Sequence, residues 1–282
     1  MNAIELNGIT KSYPGFTLDQ VSFSLPMGTI MGLVGENGAG KSTTLKLIMD
    51  AIQADSGTVS VLGVSNQSQE FFQVKQDIGI VLDEAYFPEI LRAKELESIL
   101  KATYTRWNSE QYHQYLERFQ LPMEKRIQEY SRGMKMKLAI AAALSHDPKL
   151  LILDEATSGL DPMVRDEVLD LFNEFTRDET HSVLLSSHII SDLEKICDYI
   201  TFLHKGKLLL CEEKDLLLER YGVVKLSEEA FAALPEAAVI RQKETRYGYE
   251  ALVLKDQIHE SFPLEMTTLE DIILFLAKEG TR

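Results

Sequence analysis

The sequence predicts an α/β fold built on a P-loop NTPase core, and three observations predict it. Residues 35–42 read Gly-Glu-Asn-Gly-Ala-Gly-Lys-Ser, the G-x-x-x-x-G-K-[ST] spacing of a phosphate-binding loop. A short apolar run at 29–34 precedes the loop, as a buried parallel strand would, and a helical periodicity follows it. Downstream, the apolar run 150–153 ends in Asp154 and Glu155, a second strand that delivers carboxylates to the same sheet edge.

In chain order, each element has a chemical reason. Gly35, Gly38 and Gly40 let the backbone curl until its N–H groups converge on phosphate oxygens, and the helix behind them adds partial positive charge. Glu36, Asn37 and Ala39 complete the loop. Lys41 supplies a full charge for the outer phosphates, the Ser42 hydroxyl is a Mg²⁺ ligand, and Thr43 and Thr44 open the helix. Leu45, Ile48, Met49 and Ile52 fall at helical spacing, so the helix is expected to run from about Gly40 past Met49 with one face on the sheet. The strand 78–82 is followed by Asp83, and residues 94–119 contain neither Gly nor Pro and read as helix.

At the end of the strand 150–153, Asp154 is placed to hold Mg²⁺ and Glu155 to polarise an attacking water, which favours hydrolysis over transfer to a hydroxyl. Residues 183–186 form a further core strand ahead of His188, and Lys205-Gly206 marks a hairpin turn. Beyond it, short strand-like pieces at 223–226 and 249–254 alternate with helices. Thr267 with Glu270 is expected to cap a last helix whose apolar face is Leu269, Ile272, Ile273 and Leu276.

Four further segments carry a family resemblance. Residues 130–134 (Tyr-Ser-Arg-Gly-Met) resemble the Leu-Ser-Gly-Gly-Gln signature of ATP-binding cassette proteins. Ser158-Gly159-Leu160-Asp161 resembles their D-loop, His188 their switch histidine, and Tyr13 the aromatic that stacks on adenine. Together with the phosphate loop and the Asp-Glu pair these motifs span residues 4–206 in family order. The chain therefore resembles an ATP-binding cassette (ABC) ATPase subunit similar to those that drive ABC-2-type exporters.

The resemblance implies an N-terminal antiparallel β subdomain, a helical subdomain inserted at about 84–145, an ABC-type nucleotide-binding domain over 1–215 and a small α+β extension over 216–282. It implies ATP and Mg²⁺ as ligands, with Glu155, Lys41 and His188 as catalytic groups and Ser42, Asp154 and Asp83 at the metal. It also implies a second ATPase subunit, identical or not, whose ATP faces Ser131, Arg132, Gly133 and Met134, and a multi-span membrane permease contacted near Tyr86, Phe87, Pro88 and Leu91.

Three positions depart from the family pattern: Asp83 where a Gln is usual, and Arg132 and Met134 where Gly and Gln are usual. Taken alone, Ser131 is an ordinary helix cap and Tyr13 an ordinary packing residue. The extension reads equally as a dimer contact, a regulator or a lid on the core.

Composition narrows the partners. With 29 basic and 44 acidic side chains among 282 residues, the net charge of −15 disfavours a phosphate-tracking surface, so no nucleic acid is expected. Hydrophobic content of 45% and charged content of 26% are those of a globular domain. No apolar run approaches the roughly 20 residues that span a bilayer, the first residues do not form a leader, and two cysteines make no disulfide framework. The expectation is a cytoplasmic protein, peripheral on the membrane through its permease. The competing reading is a soluble ATP-gated clamp of the same superfamily acting on ribosomes or DNA, which neither a second cassette nor a long heptad run supports.

Overall fold

The computed structural model of the chain describes residues 1–83, 87–259 and 262–277. Two long strands, β1 (Asn2–Tyr13) and β2 (Phe16–Pro26), form an antiparallel hairpin whose alternating apolar residues Ile4, Leu6, Leu18 and Leu25 are buried. The chain then enters β3 (Ile30–Val34), buried at every residue, and turns through the phosphate loop into α1 (Lys41–Ile48). Short strands β4 (Ser56–Val61) and β5 (Val64–Ser65) complete a four-stranded sheet in the order β2-β1-β4-β5. Helix α1 is shorter than its periodicity suggested: Asp50 adopts a left-handed φ of 55°, which a continuing α-helix does not allow, so Ile52 lies outside it.

A single turn, α2 (Phe71–Val74), leads to β6 (Ile78–Val81) and then to the inserted helices α3 (Ala93–Thr103) and α4 (Ser109–Arg118). These pack on α5 (Arg132–Leu144) around Tyr112, which is fully buried and donates its hydroxyl to the Ala93 carbonyl at 3.2 Å. The core returns with β7 (Leu150–Asp154), α6 (Pro162–Phe175), β8 (Ser182–Ser187), α7 (Ile190–Ile196), β9 (Tyr199–His204) and β10 (Lys207–Glu213).

The central sheet has the order β10-β9-β3-β8-β7-β6, with β10 the antiparallel edge. Its central strands β3, β8 and β7 are buried on both faces. Leu150 and Ile152 of β7 face α1 and the antiparallel sheet, while Leu151 and Leu153 face α5, α6 and α7.

The last part contains α8 (Lys214–Arg220), β11 (Tyr221–Leu226), α9 (Glu228–Ala232), β12 (Val239–Thr245), β13 (Gly248–Leu254), β14 (Leu264–Glu265) and α10 (Leu269–Ala277). Its antiparallel sheet runs β12-β13-β11-β14. Val224, Leu226, Ala251 and Val253 make a small core of their own, whereas Val223, Leu252, Leu269 and Ile272 join the main core with Leu193 and Ile196 of α7. The boundary expected at residue 215 therefore falls inside α8, on an element that both parts share.

The cap of α10 lies one residue beyond the expected one. Thr268 and Asp271 bond reciprocally, with Asp271 N donating to Thr268 Oγ1 at 3.2 Å and Thr268 N to Asp271 Oδ2 at 3.0 Å. Thr267 instead accepts from Val223 N, tying the helix entry to β11. Among the described residues no helix is long and apolar enough to cross a membrane, and Cys197 and Cys211 are both free thiols.

Candidate functional site

The phosphate loop is braced from behind. A Cβ on Gly35 would lie 2.5 Å from the Leu203 carbonyl oxygen and 2.9 Å from the Ala39 methyl, so only glycine lets the loop approach β9 this closely. Gly40, at φ 111°, turns the chain into α1 in a conformation reserved for glycine, with the Phe16 ring against it. The Ala39 carbonyl accepts from Gly206 N at 3.1 Å, which ties the loop to the β9–β10 hairpin. Tyr13 pairs across the hairpin with Phe16, whose ring lies against Gly40, and is half-exposed under the Lys11 ammonium.

Lys41 is only 6% exposed, and its ammonium donates to the Gly35 carbonyl at 2.7 Å and the Glu36 carbonyl at 3.4 Å. Helix α1 has no acidic residue in its first turn and no side-chain cap, so its leading N–H groups remain available to an anion. Glu36, Asn37, Gly38 and Ser42 are exposed around this end, Thr43 is half-buried, and Ala39 is buried. Thr44 faces the core and gives its hydroxyl to the Gly40 carbonyl at 2.9 Å.

Opposite the loop, β7 and β8 run in register so that Asp154 stands beside Ser186, whose hydroxyl donates to Asp154 Oδ1. Asp154 is 7% exposed and keeps its second oxygen for another partner. Glu155 follows at φ 52°, a left-handed conformation uncommon for residues other than glycine. Its N–H donates to the Ser186 carbonyl at 3.0 Å, and this fixes the direction of the side chain. The carboxylate lies 3.7 Å from the Lys41 ammonium, and 2.6 Å from His188 Nδ1, which donates to it. Lys41, Glu155 and His188, far apart in sequence, therefore meet at one sheet edge.

The donor set suits a magnesium ion that arrives with phosphates. Ser42 and Asp154 supply hard oxygens, and Mg²⁺ typically takes only one or two protein carboxylates. Among the described residues no three His, Cys, Asp or Glu side chains gather into a metal cage. The carboxylate of Asp83, expected beside Asp154 and Glu155, accepts from Arg132 Nη2 at 2.7 Å.

The signature segment packs on the turn that leaves Glu155. Ser131 caps α5, accepting from Met134 N at 3.2 Å, and Gly133 packs against Leu160 of the turn that leaves Glu155. In that turn Ser158 N donates to the Glu155 carbonyl at 2.9 Å, Gly159 lies under the Arg132 side chain, and Asp161 caps α6 by accepting from Val164 N at 3.1 Å. Among the described residues no hydrogen bond joins residues 131–134 to the phosphate loop of the same chain. Of the residues expected to meet a permease, Phe87 and Leu91 pack partly into the core, Pro88 is exposed, and Tyr86 lies outside the described residues; the exposed Ile90 next to them carried no signal in the sequence.

Three features of the site had escaped the sequence: the Ser186 bond to Asp154, the bracing of the loop by Leu203 and Gly206, and the Asp83–Arg132 pair. Each depends on strand register or on contacts between distant segments.

Comparison with known proteins agrees with this geometry. The family described as ABC transporter matches residues 18–158. The ABC transporter ATP-binding protein YtrB of Bacillus subtilis is 31% identical, with 98% of both chains covered. The bacitracin transport ATP-binding protein BcrA of Enterococcus faecalis is 34% identical over 73% of this chain and 68% of its own. Among solved structures, an ATP-binding subunit of an ABC transporter superposes with a TM-score of 0.69 at 26% identity, over 76% of this chain and 91% of that one. A dimeric ATP-binding cassette in a post-hydrolysis state, bound to ADP and Pi, superposes with a TM-score of 0.67 at 22% identity, over 74% of this chain and 98% of its own, a likeness of fold.

Proposed function

The chain belongs to the ABC transporter family, and from that membership we propose that it hydrolyses ATP as one half of a dimer enclosing two ATP molecules, powering export through a separate membrane-spanning subunit. It is an ATP-binding subunit of a transporter. The observation that carries the hydrolytic step is the Glu155 carboxylate, held by a left-handed backbone between Lys41 and His188.

Glu155 takes a proton from water as the water oxygen attacks the γ-phosphorus, and the bond from that phosphorus to the β–γ bridging oxygen breaks to leave ADP and phosphate. Lys41 and the N–H groups at the start of α1 hold the phosphates as charge develops on them. His188, donating through Nδ1 to Glu155, keeps the carboxylate oriented; a bond from its ring to the γ-phosphate would need a proton on Nε2 as well. Ser42 and Asp154 would hold Mg²⁺, which when bound neutralises phosphate charge. Tyr13 offers its ring to the adenine.

Among the described residues no hydrogen bond joins Ser131, Arg132, Gly133 or Met134 to their own phosphate loop, and this supports their serving the ATP of a second subunit, identical or not. Residues 1–215 form the ATPase unit, with a helical insertion at about 84–145, and 216–282 an extension of it. Exposed Pro88 and Ile90 at the entry to the inserted helices offer a face to a permease, which would hold the subunit at the cytoplasmic face of the membrane. The relatives named for bacitracin transport support a role in moving a compound across a membrane.

Glu155→Gln should lower ATP hydrolysis by about 100-fold or more while ATP binding persists. Hydrolysis at the wild-type rate would remove Glu155 from this role. Affinity purification from gently solubilised membranes should recover a multi-span membrane protein in stoichiometric amount; recovery with ribosomes or DNA instead would overturn the transport assignment.

A further inference from the structure

Asp83 and Arg132 are two of the positions at which the sequence departs from the pattern it otherwise follows, and the fold sets them against each other. Arg132 Nη2 donates to Asp83 Oδ1 at 2.7 Å, joining the loop that leaves β6 to the first turn of α5. The same guanidinium lies across Gly159, with its Cδ, Nε and Cζ 3.6–3.7 Å from the position a Cβ there would take. Three segments thus meet on one side chain. The third of them starts at Glu155, through the bond from Ser158 N to the Glu155 carbonyl.

The pair is open to water, with Arg132 61% and Asp83 49% exposed, so it adds little to the stability of the fold. A second tie between the same loop and α5, Lys135 to Glu89 at 2.6 Å, already secures them to each other. What the Arg132 contact adds is the turn that carries Glu155.

We propose that Arg132 is a positioning residue for ATP hydrolysis: paired with Asp83 and laid on Gly159, it holds the turn behind Glu155 in register with the start of α5. The surplus carboxylate at 83 and the surplus cation at 132 are a matched pair. This rests on Glu155 being the base for hydrolysis.

The test is a charge-swap cycle in the full chain, reading kcat and KM for ATP hydrolysis. Asp83→Ala and Arg132→Ala should each lower kcat by about twofold to fivefold, the range expected of one exposed pair, with KM little changed in Asp83→Ala. The double variant should be no worse than the poorer single, and Asp83→Arg with Arg132→Asp should regain most of the rate lost by Arg132→Asp alone. Lys135→Ala, which cuts the neighbouring tie without touching Gly159, should leave kcat within about twofold. Multiplicative losses in the double variant, no recovery in the swap, or a rise in rate in either single variant would overturn the proposal. Glu155→Gln measured alongside separates the two failures: if it hydrolyses ATP normally the assignment of the base falls, and if it is inactive while the cycle is multiplicative only the Arg132 role falls.

Discussion

Helices α1 and α5 each begin beside a functional turn, α1 behind Gly40 in a left-handed conformation without a side-chain cap, α5 behind Ser131 with its hydroxyl bonded to Met134 N. At the first, Lys41 is 6% exposed and the loop is pressed onto the Leu203 carbonyl. At the second, Ser131 and Arg132 are exposed, and the contacts include the exposed ion pairs Arg132–Asp83 and Lys135–Glu89 and van der Waals packing. The first helix end is thus complete within one chain and keeps its N–H groups for an anion. The second satisfies part of its own N-terminus and presents the rest outward, as a surface that works on something approaching from outside would.

The sharpest way to break this comparison is one methyl group placed at each end. Gly35→Ala puts a Cβ 2.5 Å from a backbone oxygen that cannot rotate away, so the loop or β9 must move. An overpacking loss of about 1–3 kcal/mol in denaturant unfolding and a marked loss of ATP affinity are expected. In Gly133→Ala the new Cβ would find only Leu160 Cδ2, at an ordinary 3.6 Å. Unfolding stability should be unchanged or raised by up to about 1 kcal/mol, because alanine favours the helix. Equal losses at the two glycines would mean that the loop is not braced more tightly than the signature turn.

The same contrast separates what was legible in the sequence from what was not. The phosphate loop is continuous in the chain, so strand, glycines and lysine could all be read from one window, as could the apolar runs of β3, β7 and β8. The end of α1 could not, because Asp50 leaves the helix in a left-handed turn while the apolar spacing continues to Ile52. Nor could the cap of α10, where Thr267 and Thr268 are adjacent and only the bond from Val223 N assigns the first of them to β11. The partner of Asp154 required the parallel register of β7 and β8, and the partner of Asp83 lies across a whole helical insertion. Chemistry carried by contiguous residues was readable; chemistry assembled by register and by surface charge pairs was not.

A smaller effect sharpens the α5 side. Ser131→Ala removes the hydroxyl that accepts from Met134 N, with a loss of about 1 kcal/mol in stability, seen as a fall in Tm of roughly 2–4 °C. ATP affinity of the isolated chain should not change, since residues 131–134 make no bond to their own phosphate loop among the described residues. A drop in that affinity as large as the one in Gly35→Ala would show that the two helix ends are coupled within one chain.

The smallest effect lies at the far end of α5, where the helix that opens onto solvent at Ser131 is anchored by a buried imidazole. His146 is 1% exposed, stacks on Tyr104 with ring centroids 3.9 Å apart, and sets Nε2 3.2 Å from the Ile78 carbonyl of β6, the strand that leads to Asp83. Burial pushes its pKa below the ordinary 6.5, with Arg106 acting in the same direction and the carbonyls of Ala142 and Ile78 and the Asp147 carboxylate opposing. The unfolded chain therefore takes up a proton near pH 6.5 that the folded chain refuses, so this contribution to stability is fully present above that pH and declines as the pH falls below it. Urea midpoints measured from pH 7.5 down to about 5.5 should fall in the wild type, and fall less steeply in His146→Gln, which has no proton to gain there. Parallel slopes in the two proteins would show that α5 is held at its buried end by packing alone, and that the contrast between its two ends is one of exposure without a difference in charge.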